Sequence, residues 1–266
     1  MRKLKILLIL IPLVMFLCIV LLWTSQMGSE ESFSVWASDP LIKIFKDTKP
    51  TANEKAFLYV EAVRNEYAAA QFAITVEKGN PKIRLKTEPL EGPYGFKISV
   101  SANLIGYVPV AKNTPGTPVE ELVRPAPSDF PDPLLDVDSI SLKAGETQPV
   151  WVTVFIPPEA PAGNYTGKIQ VYSEKTNASI QITLNVHPVT LTSERTLWLT
   201  NWFNAEGLAS YYNVKPWSEE HWRLIRSYAK FISKYRQNVI ITPMFQLIKF
   251  IETSNGTLKC DFSNLD

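Results

Sequence analysis

The sequence predicts a mostly β chain that changes character near residue 190. Three observations carry that reading. Short apolar runs of period two recur from Phe33 to Val186. Proline reaches 20 residues, about 7.5% against a usual ~5%. After Pro188 the apolar period lengthens to that of a helix. The expected order is an N-terminal membrane helix over 1–27, an antiparallel β-sandwich over 28–190 and a strand–helix–strand segment over 191–266.

The N-terminal segment follows from charge and length. Arg2, Lys3 and Lys5 precede the 18 uncharged residues Ile6–Trp23. A basic flank before an apolar run directs a chain into export, with the basic end left in the cytoplasm. The run is longer than a usual signal core and just long enough to span a bilayer. No good small-residue cleavage site follows in Thr24–Ser29. Both an uncleaved anchor and a cleaved signal peptide fit, and either places the remainder outside the cytoplasm, at the cell surface or secreted.

Phe33–Phe45 reads as two short strands around Ser38-Asp39-Pro40, and Lys46–Lys55 as loop. Ala56–Val63 is a strand, Arg64–Tyr67 a turn and Ala70–Val76 the next strand. Lys78-Gly79-Asn80-Pro81 marks another turn. Ile83–Leu85, Phe96–Val100 and Leu104–Val110 are further short strands. Lys112–Asp136 carries six prolines without periodicity and reads as a long loop.

The clearest signal runs from Gly145 to Val186. Val150, Val152, Val154 and Ile156 form one side of a strand that the prolines from 157 onward must end. Ile169 and Val171, then Ile180, Ile182, Leu184 and Val186, alternate with polar neighbours. That is a hairpin with one apolar face, around the polar loop Glu174–Asn177. A one-residue slip would put the isoleucines in water, so the facing is fixed.

Beyond Pro188, Leu197–Thr200 and Val239–Thr242 read as strands. Between them Ser218 caps a helix with Glu219 and Glu220 at its positive end, and Trp222, Ile225, Ala229 and Ile232 form its stripe. Asp261–Asp266 reads as the opening of another helix. Two strands and one helix in 76 residues cannot cover both faces of a parallel sheet, so the sequence reads as a piece of a longer protein.

Composition excludes several classes. A net charge of +1 gives no reason to expect nucleic acid. Cys18 falls in the apolar run and Cys260 stands alone, so no disulfide framework exists. Two histidines, His187 and His221, read as surface residues and give no metal cluster. No metal site and no cofactor are expected.

Several stretches resemble the family 123 glycoside hydrolases, the β-N-acetylgalactosaminidase-like proteins. They are Glu61–Gln71 (EAVRNEYAAAQ), Pro131–Leu135 (PDPLL), Gly145–Trp151 (GETQPVW) and Ala160–Gly167 (APAGNYTG). Leu197–Asn204 and Asn238–Pro243 look like the first two strands of that family's barrel. The resemblance implies a sandwich followed by a (β/α)8 catalytic barrel, of which only the beginning is present here. It also implies substrate-assisted, retaining hydrolysis of N-acetylhexosamine-containing glycans. The sugar's acetamido oxygen attacks the anomeric carbon, an Asp or Asn orients it, and the adjacent Glu is the general acid.

That acidic pair is implied on a later barrel strand, past Asp266. Asn53-Glu54 and Asn65-Glu66 look similar but fall in the sandwich, so no catalytic residue is assigned in this chain. Barrel sites form at the C-terminal ends of strands. The candidate substrate-binding residues are therefore Asn201, Trp202 and Asn204 after the first strand, and Gln246, with Met244, after the second. Trp202 offers a flat apolar face to a sugar ring, or packs under the sandwich. The expected function is the N-terminal portion of an exported glycan hydrolase, inactive by itself, whose partners are a glycan substrate and the membrane. The alternative is a non-catalytic cell-surface sandwich that binds glycan or protein.

Overall fold

A computed structural model describes residues 30–51, 55–200, 204–241 and 248–261. The apolar run Ile6–Trp23 lies outside them, and among the described residues no helix is long and apolar enough to cross a membrane. The chain divides into two compact units, one ending at Leu191 and one beginning at Thr192.

The first unit is built from β1 (Ser32–Ser38), β2 (Phe57–Arg64), β3 (Glu66–Lys78), β4 (Lys82–Thr87), β5 (Leu90–Glu91) and β6 (Lys97–Ile98). It continues with β7 (Val100–Val110), β8 (Ser128–Leu134), β9 (Ile140–Ser141), β10 (Thr147–Ile156), β11 (Gly163–Tyr172) and β12 (Asn177–Thr190). One sheet has the order β1-β3-β10-β7-β8 and is antiparallel throughout. The other has the order β2-β12-β11-β4-β9, with β5 and β6 attached beside β11. In it β2 runs parallel to β12.

The two sheets share one core, as period two requires. Phe72 and Ile74, Val150, Val152 and Val154 come from the first sheet, and Ile169, Val171, Ile180, Ile182 and Leu184 from the second. Each such side chain contributes about 1.5–3 kcal/mol by leaving water. The expected hairpin is β11–β12, with Ile169 opposite Ile180 and a loop of Ser173–Thr176.

The corner between the sheets is Asn65. It sits at φ 59°, a left-handed conformation that asparagine tolerates better than most residues, and lets the chain leave β2 and enter β3 at once. Its backbone N–H donates to Ile156 O at 2.8 Å and its Nδ2 to Leu191 O at 2.9 Å. Arg64 Nε donates to Ala160 O at 2.7 Å, and Glu66 Oε2 accepts from Val63 N at 2.7 Å.

Two expectations in this unit are corrected. Phe33–Phe45 holds one strand, β1, and not two; after Ser38 the chain becomes a strap held by the Gln71 amide, whose Nε2 donates to Asp39 O and Ile42 O at 2.9 Å each. The strap seals Ile44 against Trp36 and Ala73. Lys112–Asp136 is not all loop, because β8 pairs with β7 at the sheet edge. Pro131 and Pro133 are tolerated there since an edge strand has one side free of the ladder, and they hid its period.

The second unit contains α1 (Ala205–Tyr212), α2 (Glu219–Lys234) and the hairpin β13 (Lys249–Glu252)–β14 (Leu258–Asp261). Ser218 caps α2 as expected, its hydroxyl accepting from His221 N. Leu197–Thr200 and Val239–Ile241 do not form a strand ladder, contrary to expectation. They lie side by side through backbone donors of Asn238 and Val239 that share Leu199 O at 3.1 Å. Both segments keep large apolar side chains in water, so neither has the covered faces that a parallel strand needs. Asp261 belongs to β14, not to a helix opening, and 262–266 are outside the described residues.

Candidate functional site

Of the four candidate substrate-binding residues, Asn204 is described. It caps α1, its Oδ1 accepting from Gly207 N at 2.9 Å, and it is exposed. With the carbonyl oxygen committed to the helix, its amide NH2 is what it can offer a ligand. Asn201, Trp202 and Gln246, and Met244 beside them, lie outside the described residues. The backbone leading to them is described, and it is held in a specific way.

Asn238 is the clamp. Its Oδ1 accepts from Leu199 N at 2.8 Å and its Nδ2 donates to Leu197 O at 3.0 Å. A single side chain thus does for residues 197–199 what a neighbouring strand would do. Arg195 reaches the end of α2, donating to Ser233 O at 2.8 Å and Gln237 O at 3.2 Å. Arg236 donates to Thr192 O at 2.9 Å. These contacts fix the segment before Asn201 beside the segment that leads towards Gln246.

His221 anchors the other side of the unit. It is fully buried and not a surface residue as the sequence suggested. Its Nδ1 accepts from Trp217 N at 2.8 Å, so the proton sits on Nε2, 2.7 Å from Ala205 O. The ring therefore ties the start of α1 to the start of α2. Tyr212 and Tyr228 join the same helices through hydroxyls 2.9 Å apart, and that bond pushes the Tyr228 hydroxyl upward in pKa.

The unit leaves much apolar surface open. Trp198 is 78% exposed, Phe231 61% and Ile241 51%, and among its described residues the buried hydrophobics are only Ala205 and Ala209. On α2 the stripe of Trp222, Ile225, Tyr228, Ala229 and Ile232 is half-buried, while Phe231 beside it stays in water.

Among the described residues of the sandwich, Asn65-Glu66 and Asp47 are not placed as a hydrolase centre. Asn65 and Glu66 are spent on the corner, and Asn53-Glu54 lies outside the described residues. Asp47 is held below the usual carboxylate range by its hydrogen bond from Arg124, the wrong direction for a general acid. Among the described residues no group of three His, Cys, Asp or Glu side chains could hold a metal. Cys260 is an exposed free thiol on β14.

The stretches that suggested a family are architectural. Tyr165, in APAGNYTG, is fully buried and its hydroxyl donates back to Pro161 O at 2.8 Å. Its ring lies so close to Gly92 that an added Cβ there would come within 2.2 Å. Thr147, in GETQPVW, joins Thr75 Oγ1 at 2.9 Å, which in turn accepts from Trp36 Nε1 at 2.9 Å. Burial pushes the neighbouring Tyr107 hydroxyl well up in pKa, and it donates to Thr147 O at 3.3 Å.

Comparison with known proteins identifies the family. Residues 41–173 match the glycoside hydrolase 123 N-terminal domain, and residues 202–266 match the glycoside hydrolase 123 catalytic domain. Among solved structures, a family 123 glycoside hydrolase from Clostridium perfringens superposes with a TM-score of 0.70 at 15% identity, over 88% of this chain and 44% of that one. The chain thus spans less than half the length of that structure, and at this identity the likeness concerns the fold. A Porphyromonas gingivalis W83 protein of unknown function superposes at a TM-score of 0.29 and 11% identity, over 58% of this chain and 47% of its own, too low to argue from. No curated protein matches the sequence. With the N-terminal domain matched over residues 41–173, half of the chain, and the catalytic domain matched over residues 202–266, the chain belongs to glycoside hydrolase family 123.

Proposed function

We propose that this chain is the N-terminal portion of an exported glycoside hydrolase that acts on N-acetylhexosamine-containing glycans, with residues 191–266 forming the opening of a (β/α)8 catalytic barrel. The observation that carries this reading is the open apolar flank of the second unit, placed where the catalytic-domain match falls. A barrel strand is covered inside by its neighbours and outside by helices. Trp198, Phe231, Ile240 and Ile241 are the surfaces such neighbours would cover. The Clostridium perfringens relative is described as hydrolysing glycolipid glycans, which supports a glycan as the substrate class.

In this reading Trp202 stacks on a sugar ring, while Asn201, Asn204 and Gln246 offer amides to its hydroxyls. Asn238 is a positioning residue for both strand ends. The catalytic Asp/Asn–Glu pair comes from a later strand, so residues 1–266 alone are inactive. The basic flank and apolar run at the N-terminus support export, either anchored or after cleavage. N-terminal sequencing of the chain recovered from an expressing cell's membrane or medium distinguishes those two fates.

The activity is tested with nitrophenyl N-acetylgalactosaminide. Residues 1–266 are expected to release no nitrophenol, and a chain extended in phase past Asp266 is expected to release it. Turnover by 1–266 overturns the claim of inactivity; none by the extended chain, against any nitrophenyl N-acetylhexosaminide, overturns the claim of function.

A further inference from the structure

The outer face of the second sheet is the part of the sandwich that the barrel reading does not use. Strand register places its side chains in rows, since directly paired residues project to the same side of a sheet. Tyr59, Thr183, Thr166 and Glu91 form one row across β2, β12, β11 and β5. Phe57, Gln181 and Lys168 form the next, and Glu61, Asn185 and Asn164 the third.

Three features set this face apart from an ordinary solvated sheet. It carries an open cavity of about 500 Å³, with Glu88, Glu91, Lys97, Thr166, Lys168 and Gln181 among its lining. That volume lies within the ~300–1,000 Å³ range of small-molecule sites. The lining also balances its charges, two carboxylates against two ammonium groups, with Glu91 and Lys97 paired at 3.0 Å. An anion or a cation gains nothing there from net charge, whereas a neutral polar molecule meets donors and acceptors of both kinds. Finally, the edge strand beside it leaves two aromatic rings in water, Phe57 at 44% exposed and Tyr59 at 58%. Exposed edge strands usually carry charge. Two rings two residues apart on one face, next to amides and hydroxyls, suit a ligand with apolar C–H faces and hydroxyl edges.

We propose that the outer face of β2, β12 and β11, with its cavity, is an accessory binding site for a neutral glycan, separate from the catalytic barrel. It rests on the glycan reading above only for the choice of probe. Tyr59 is held in place by its hydroxyl bond to Glu61 at 3.2 Å, and Glu61 lies 3.7 Å from His187. The aromatic platform is therefore supported from the adjacent strand.

The test is a titration of the 266-residue chain with chitotetraose, a neutral N-acetylhexosamine tetrasaccharide, followed by amide shifts and calorimetry. Amides of Thr166, Gln181 and Thr183 are expected to shift. Gln181→Ala and Tyr59→Ala are each expected to weaken binding at least about fivefold, with thermal melting unchanged because both side chains are exposed. Thr166→Arg, which fills the cavity from an exposed position, is expected to abolish binding. No binding, or binding that these three variants leave intact, overturns the proposal. Loss of binding on Trp202→Ala alone would also overturn it while leaving the barrel reading in place. Hydrolysis of the small nitrophenyl substrate by the extended chain does not depend on this face, so the two readings fail separately.

Discussion

At the scale of the residue, asparagine and histidine side chains hold the second unit together. Asn238 supplies both a donor and an acceptor to residues 197–199. Asn238→Ala removes both bonds, which at about 0.5–1.5 kcal/mol each should lower the unit's stability by roughly 1–3 kcal/mol. Hydrogen exchange at the Leu199 amide reads this directly, and unchanged protection would remove Asn238 from its clamping role. His221→Ala strands the Trp217 N–H and opens a void at a fully buried site. A loss of at least about 2 kcal/mol is expected in a melt of the second unit. Neither role was legible beforehand. A histidine four residues after a tryptophan looks like any polar residue on a helix, and only the fold shows that its face points inward. Asp47 gives a pH prediction. Its folded pKa is lowered, so its contribution is present above the unfolded value near 3.8 and lost as pH falls through the folded one. Asp47 is exposed, so Asp47→Asn should flatten the acid limb of the stability curve by less than about 1 kcal/mol.

At the scale of the element, β10 shows how a proline is accommodated in a central strand. Continuing the β10–β7 register from Val150–Leu104 puts Pro149 opposite Ile105. Pro149 has no N–H to give, and Gln148 Nε2 donates to Ile105 O instead, at 2.7 Å. Gln148→Leu keeps the volume and leaves that buried carbonyl unpaired, so a cost of about 1–3 kcal/mol is expected by denaturant titration. A change below about 0.5 kcal/mol would mean that the carbonyl has another partner. The β11–β12 hairpin was readable because its period is undisturbed from Ile169 to Val186. β8 was not, because Pro131 and Pro133 stand where alternation would show. The β13–β14 hairpin carried a signal that the periodicity reading passed over, Asn255-Gly256 between Phe250-Ile251 and Leu258. The α2 helix was legible from cap and stripe, but the neighbouring strand segments were read from apolar content alone, which cannot tell a paired strand from an extended segment awaiting one.

At the scale of the whole molecule, the two units differ in how fully they bury what the sequence made apolar. The first closes a core from two sheets, and its family-bearing stretches all serve that closure. The second holds its helices and extended segments by side-chain bonds while a broad apolar flank stays open. Site residues were placed by analogy with strand ends, and Asn204 shows the limit of that reasoning, since its side-chain oxygen caps a helix that the periodicity did not reveal. The unit's low burial predicts that residues 1–266 bind a hydrophobic dye through the second unit, and that a chain extended past Asp266 binds it less. The most direct test is hydrogen exchange along residues 1–266 in native buffer. Slow exchange in the strands between Phe57 and Val186, with exchange from Leu197 to Ile241 measurably protected but markedly faster, is the predicted result. Equal, slow exchange in both would show a second unit that is complete without further chain, and would contradict the reading of it as the start of a barrel.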